Sequence, residues 1–268
     1  MAIITISRGS YSRGKEIAEK VAEKLGYECI SRDALIEASE QFNIPEIKLI
    51  RAIQDAPSIL ERFGYSKEKY MTYFQVALLR HVKKDNVVYH GLAGHFLLEG
   101  ISHALKVRII SDMEDRVALE MERENISQRE AEHILKGDDE QRREWSRYLY
   151  GIDTADASLY DLLLHIKNLT VDNAVTIICH TVKLPDFQTT AQSQKVLEDY
   201  LLAAEVKAAL IDIKPDINIS ASDGLVLVKT KARMSEDERL FQDIKGIGES
   251  IPGVKELHIN VHQKRVFD

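Results

Sequence analysis

Along the chain, short β-branched apolar runs alternate with longer stretches at helical spacing. Residues 3–6 (Ile-Ile-Thr-Ile) form such a run and predict a buried first strand. Residues 7–13 are polar and small, which reads as a loop. From Gly14 to Leu25, the residues Ile17, Ala18, Val21, Ala22 and Leu25 share one helical face, and Gly26 is a natural stop. Residues 27–30 read as a second strand, so the opening is strand, loop, helix, strand. Residues 33–83 read as helical, interrupted at Pro45 and Pro57, with 70–82 long and amphipathic. Further strands are predicted at 86–90, 106–111 and 161–166, and helices at 93–98, 113–124, 127–135 and 171–182. Ser127 with Glu130 three residues on is a capping-box signature. This alternation predicts a five-stranded parallel sheet covered by helices, an α/β domain over residues 1–183.

The pattern changes after residue 183. Pro185 and a cluster of Thr, Gln and Ser mark 184–194 as a linker. A helix at 196–211 follows, then strands at 217–221 and 225–232 around Asp223-Gly224, a hairpin signal. A helix at 235–250 and a strand at 254–261 complete a small α+β domain, α-β-β-α-β, over 195–268.

Composition narrows the function classes. The chain has 268 residues, 44% hydrophobic and 29% charged, enough apolar material for one large core or two smaller ones. Its net charge of −7 argues against an extended nucleic-acid footprint but leaves room for a local basic site. No apolar run approaches the roughly 18 residues of a membrane span, and residues 1–14 lack the apolar segment of a signal peptide, so a cytoplasmic location is expected. Two cysteines, Cys29 and Cys179, make neither a disulfide scaffold nor a zinc site and are expected as buried free thiols.

The candidate chemistry begins at the first loop. Gly9, Ser10, Tyr11, Ser12, Arg13, Gly14 and Lys15 fit the spacing G-x4-G-K between a buried strand and a helix. At such a turn the backbone amides and the positive helix end face one point and hold an anion. Lys15 can reach the outer phosphates of a nucleotide, and Arg8 and Arg13 add charge. The other reading is a tight strand-to-helix turn with solvated basic residues. Glu16 stands where a Ser or Thr commonly holds Mg2+; its carboxylate can bind the metal itself or pair with Lys15 or Arg13.

Three further groups attract attention. Residues 136–150 gather Arg142, Arg143 and Arg147 around Trp145 and Tyr148. That is either a solvated helix with i,i+4 pairs or a mobile cover that brings charge to a transferring phosphoryl group and excludes water. Arg32 and Asp33 follow the second strand, where open α/β sheets bind ligands, though Asp33 also suits a helix N-cap. His90 and Gly91 end the third strand; His90 and His95 are phosphate contacts or packed residues.

A family resemblance joins these pieces. The residues Ile3, Thr5 to Arg8, Gly14 to Ala18, Leu25-Gly26 and Ser31 to Asp33 resemble the opening of the cytidylate kinase-like proteins. The likeness continues at Arg116, Arg123 to Ser127, Glu130-Ala131, Asp139 with Arg142, Ala157 to Asp161 and Leu169 to Ala174, covering about residues 1–183. It implies a P-loop nucleoside monophosphate kinase-like fold using ATP and Mg2+, with 136–150 as a lid and Arg142 its best match. It also implies that Arg32 or Asp33 orients a CMP-like acceptor. The chain departs from related kinases where the third strand should end in a Gly-Arg pair: it runs His90-Gly91-Leu92-Ala93-Gly94-His95 instead. A nucleotide-binding sensor without acceptor chemistry is the other reading. Residues 223–226 (Asp-Gly-Leu-Val) and 251–254 (Ile-Pro-Gly-Val) resemble a BON domain, with Thr230 where a glycine is expected. This implies a regulatory or interaction module with a phospholipid or protein partner, although residues 187–268 carry 11 basic and 13 acidic groups and no basic patch.

Overall fold

The structure, a computed structural model, describes residues 1–9, 12–31, 67–91, 94–232 and 237–263. In chain order the first elements are β1 (Ile3–Arg8), α1 (Gly14–Leu25), β2 (Glu28–Ser31), α2 (Lys67–Val82), β3 (Val87–His90), α3 (Gly94–Leu97), β4 (Ala104–Ser111) and α4 (Met113–Glu124). They are followed by α5 (Gln128–Tyr150), β5 (Leu162–Ile166), α6 (Val171–Thr181), α7 (Ala191–Leu210), β6 (Asn218–Ser222), β7 (Leu225–Ala232), α8 (Asp237–Glu249) and β8 (Glu256–Gln263). The chain forms two compact units, one of residues 1–57 and 84–190, the other of residues 58–83 and 191–268.

The first unit is the expected five-stranded parallel sheet, in the order β2-β3-β1-β4-β5. β1 lies at its centre with Ile3, Ile4 and Ile6 fully buried. A strand covered on both faces needs a near-continuous apolar run, and residues 3–6 supply it. One face packs under α1 and α6, with Ile4, Ile6, Ile17, Val21, Val107 and Ile178 in one core. The opposite face carries Thr5, Ser7 and Tyr89, and α3 approaches it at Gly94. The register pairs Ser7 with Arg108 at the carboxyl ends of β1 and β4.

Two stretches read separately in the sequence, 127–135 and 136–150, form one element. α5 does not stop at residue 135 but continues to Tyr150 as one helix of 23 residues. Ala131, Leu135, Trp145 and Leu149 are buried, so a single apolar stripe persists beneath a strongly charged surface. The expected capping box is present, with Ser127 Oγ accepting from the Glu130 amide and Gly151 closing the helix at φ 68°. Residues 184–190 are tied down by a 3-10 turn at Pro185–Phe187, and the Thr189 amide donates to the Met1 carbonyl at 2.9 Å. α7 then starts at Ala191, inside the segment read as linker.

In the second unit β6 and β7 form an antiparallel hairpin and β8 joins β7 in parallel. Asp223 (φ 56°) and Gly224 (φ 83°) both take the left-handed conformation that a two-residue hairpin turn demands. Val226 and Val228 pack with Leu202, Val206 and Leu210 of α7 and Ile244 of α8. The element order α7-β6-β7-α8-β8 is the one expected. α2 also belongs to this unit: Arg80 Nε donates to Glu205 of α7 at 2.6 Å, and Lys83 pairs with Glu198 at 3.4 Å. Among the described residues no helix is long and apolar enough to cross a membrane. Cys179 is buried and Cys29 half-buried; burial raises both thiol pKa values, that of Cys29 to about 11, so both stay protonated.

Gly94 tests the packing of α3 on the sheet. A Cβ there would lie 2.5 Å from Cδ1 of the fully buried Tyr89 ring. Gly94→Ala is expected to destabilise the protein by about 1–3 kcal/mol, read as a lower denaturation midpoint at unchanged m-value.

Candidate functional site: the first loop and an arginine cleft

Three local features shape the turn between β1 and α1. Ser12 is fully buried, with Oγ 3.1 Å from the Gly9 carbonyl and 3.2 Å from that of Ile109, which staples the loop to β4. Arg13 holds the left-handed conformation (φ 60°), which costs a non-glycine residue roughly 1–2 kcal/mol. Gly14 is required by close approach: a Cβ there would lie 2.7 Å from Cβ of Arg8. The chain thus turns sharply and aims the first amides of α1, which have no partner within the helix, at one point.

The charged side chains of the loop are exposed and loosely paired. Glu16 sits between Arg13 (3.6 Å) and Lys20 (3.4 Å), and Lys15 reaches Glu19 at 3.7 Å with 64% of its side chain exposed. Exposed pairs at such distances are worth little, so these cations and Glu16 can exchange partners readily.

Beside the loop lies a cleft of about 150 Å³ that brings Arg8 together with Arg108, Arg116, Arg142 and Arg143, against the carboxylates of Asp139 and Asp153. α5 supplies Asp139, Arg142 and Arg143 because residues three and four apart share a helix face. Asp139 pins Arg116 of α4 at 2.8 Å, where only 9% of the arginine side chain is exposed. Arg143 pairs with Glu140 at 2.8 Å and Arg147 with Asp153 at 2.7 Å. Lys15 lines a different cleft of about 570 Å³ with Arg13, Glu16, Glu19 and, from α4, the buried Glu120 and its partner Arg123. The two residues expected to act together, Lys15 and Arg142, therefore face separate clefts, and Arg8 lines both.

A hydrogen-bonded network supports the floor of the arginine cleft. Tyr160 donates its hydroxyl to the Thr154 carbonyl at 3.0 Å and lies 3.3 Å from His95 Nε2 and 3.4 Å from Ser7 Oγ. Arg108 donates from Nη1 to Ser7 Oγ at 2.9 Å and stands 5.8 Å from the centre of the Tyr160 ring. Burial, then the charges of Arg108 and Lys106, pushes His95 down to about 3, and burial pushes Tyr160 up, so both are neutral.

Of the other residues singled out in the sequence, His90 is buried at the end of β3, and Gly91 donates its amide to the Ile6 carbonyl at 3.3 Å. Ser10, Arg32 and Asp33 lie outside the described residues. Among the described residues no three His, Cys, Asp or Glu side chains gather closely enough to hold a metal. Sequence reasoning missed Arg108 and Tyr160. The signal for Arg108 was a cation inside an otherwise apolar strand, on the same face as Lys106.

The first strand of the parallel α/β sheet turns through a glycine-pinched loop into a helix, and arginines gather at the sheet's carboxyl edge, where open α/β sheets bind ligands. Residues 3–168 match the Cytidylate kinase-like family, and the chain belongs to that family. The cytidylate kinase of Sulfolobus acidocaldarius is 25% identical over 177 residues, spanning 65% of this chain and 91% of that protein. The crystal structure of an uncharacterized protein from Eubacterium ventriosum superposes with a TM-score of 0.54 at 20% identity, over 69% of this chain and 99% of that one. The latter likeness is one of fold.

The neutral His95 gives a pH signature. Its pKa lies at about 3 in the folded chain and at the ordinary 6.5 when unfolded. Between those values the unfolded state binds one proton more, so stability falls as pH falls. From pH 7 to pH 5 the loss from this group is about 2 kcal/mol. His95→Phe is expected to flatten the stability profile by that amount between pH 7 and 5, measured by denaturant unfolding; an unchanged slope would mean that His95 is not held neutral.

Proposed function

We propose that the first unit transfers a phosphoryl group from ATP to a nucleoside monophosphate, CMP-like in kind, in the cytoplasm. The observation that carries this reading is the adjacency of two clefts sharing Arg8, one along the loop where Lys15 and Arg13 stand among the carboxylates of Glu16, Glu19, Glu120 and Glu122, the other rich in arginine and containing Arg142. Phosphoryl transfer requires mainly positioning and positive charge, and these residues provide both.

The loop suits Mg2+–ATP. Gly9, Ser10, Ser12 and Gly14 would offer backbone amides to the phosphates, with Gly14 permitting the close approach that a side chain would block. Arg13 and Lys15 would hold the outer phosphates. Glu16 is a hard oxygen donor whose ion pairs, 3.6 and 3.4 Å long, a divalent cation can displace. Bound Mg2+ would neutralise charge on the phosphates. Arg142 would balance charge on the moving group, and Arg32 or Asp33, with His90 and Gly91, would orient the acceptor. The second unit would act as a BON-like regulatory or interaction module, recognising a phospholipid or a protein. Its two turns support this likeness by packing directly: a Cβ at Gly224 would lie 2.8 Å from the Gly253 carbonyl.

A second reading, a nucleotide sensor without acceptor chemistry, is favoured by the separate clefts of Lys15 and Arg142 and by the missing arginine after β3. A coupled assay of ADP formation with ATP and a panel of monophosphates separates the two. Lys15→Ala is expected to lower the transfer rate on the order of 10³-fold, about 4 kcal/mol. A loss below about threefold would remove Lys15 from the mechanism. Measurable ATP binding with no ADP formed from any acceptor would leave the sensor.

A further inference from the structure

We infer that Arg108 holds the phosphate of the acceptor, standing in for the arginine absent from the end of β3; this rests on the kinase reading above. Arg108 reaches the carboxyl edge of the sheet from β4, one strand beyond β1, and lines the cleft with Arg116 and Arg142. Its guanidinium differs from its neighbours in its counter-charges. Arg116 is neutralised by Asp139 at 2.8 Å and Arg143 by Glu140 at 2.8 Å. The partners of Arg108 among the described residues are neutral: the Ser7 hydroxyl at 2.9 Å and the face of Tyr160. The two carboxylates of the cleft are already engaged, Asp139 with Arg116, and Asp153 with Arg147 and the Ala155 amide. His95 and Tyr160 behind it carry no charge.

A half-buried cation without a carboxylate is a costly arrangement unless a ligand supplies the anion. The geometry also leaves the fork available. Ser7 takes Nη1 and Tyr160 lies beside the guanidinium with its ring and hydroxyl, which still leaves some of the five N–H donors for a tetrahedral oxyanion. Ser7 and Tyr160 are positioning residues. Tyr160 is itself fixed by the Thr154 carbonyl at 3.0 Å. The ligand class is a phosphate monoester: Arg108 shares its cleft with the loop residues Gly9 and Ser12 but not with Lys15, and its register partner Ser7 lies on the sheet face of Thr5 and Tyr89, a place that suits the acceptor rather than the donor.

The test uses the full chain with its loop saturated by AMP-PNP, titrated with CMP by calorimetry. Arg108→Gln is expected to weaken CMP binding about 30-fold while AMP-PNP affinity stays within twofold of wild type. Arg108→Lys, which keeps the charge but loses the fork, should recover part of the loss. Tyr160→Phe should weaken CMP several-fold, yet add nothing on top of Arg108→Gln, because it acts through that arginine. Unchanged CMP affinity in Arg108→Gln, or an equal loss for AMP-PNP, overturns the assignment. If wild type fails to bind AMP-PNP, the kinase reading falls by itself, and inorganic phosphate then decides the role of Arg108. A phosphate-induced rise in melting temperature that Arg108→Gln abolishes sustains an anion site there; a rise that persists in the variant, or none in wild type, overturns it.

Discussion

The site depends on β1 being paired on both edges and covered on both faces. Such a strand carries apolar side chains and the buried Thr5 until it reaches its carboxyl end, so its other polar groups come at Ser7, Arg8 and the loop beyond. Parallel pairing then fixes what stands beside them. The register with β4 sets Arg108 next to Ser7, and the turn into α1 must fold back over Arg8 because Gly14 leaves no space for a Cβ. Ser12, buried against the Ile109 carbonyl, completes the constraint by tying the loop to the same strand that carries Arg108. Loop and arginine cleft are thereby two consequences of one sheet register.

Much of this was legible locally. The β-branched run of β1, the one-sided apolar face of α1 and the Gly26 stop are signals contained within a dozen residues, and the fold realises each of them. The Asp223-Gly224 hairpin was readable for the same reason, since its turn conformation is set by its own two residues. The continuation of α5 past residue 135 was obscured by the density of charge between Lys136 and Arg147. The stripe of Leu135, Trp145 and Leu149 is sparse, yet it suffices because it buries fully.

What was not legible is what depends on long-range pairing. An amphipathic pattern states that α2 buries one face, not against what. Its partner Glu205 lies 125 residues away, and α2 falls in the second unit although its neighbours in sequence belong to the sheet. Arg108 is similar: a cation within an apolar strand is visible locally, but its partners Ser7 and Tyr160 come from elements far apart in sequence. The separation of Lys15 from Arg142 is of the same kind, since motif spacing specifies neither the path of α4 nor which face of α5 meets the cleft.

The distribution of charge around the cleft follows from the cost of desolvation. Arg116 is nearly buried, which makes its charge costly without a carboxylate beside it, and Asp139 provides one from the helix that also carries Arg142. That pair holds α4 and α5 in register and so fixes where Arg142 stands. Arg8 packs its methylene carbons against Gly14, where a Cβ would lie 2.7 Å from its own Cβ. Several arginines of the cleft are thus oriented by neighbours within the chain: Arg116 by Asp139, Arg143 by Glu140, and Arg108 by Ser7 and Tyr160. Under the proposed transfer, charges fixed in this way would act on a phosphate without first having to reorganise, which is the condition under which electrostatic stabilisation is strongest.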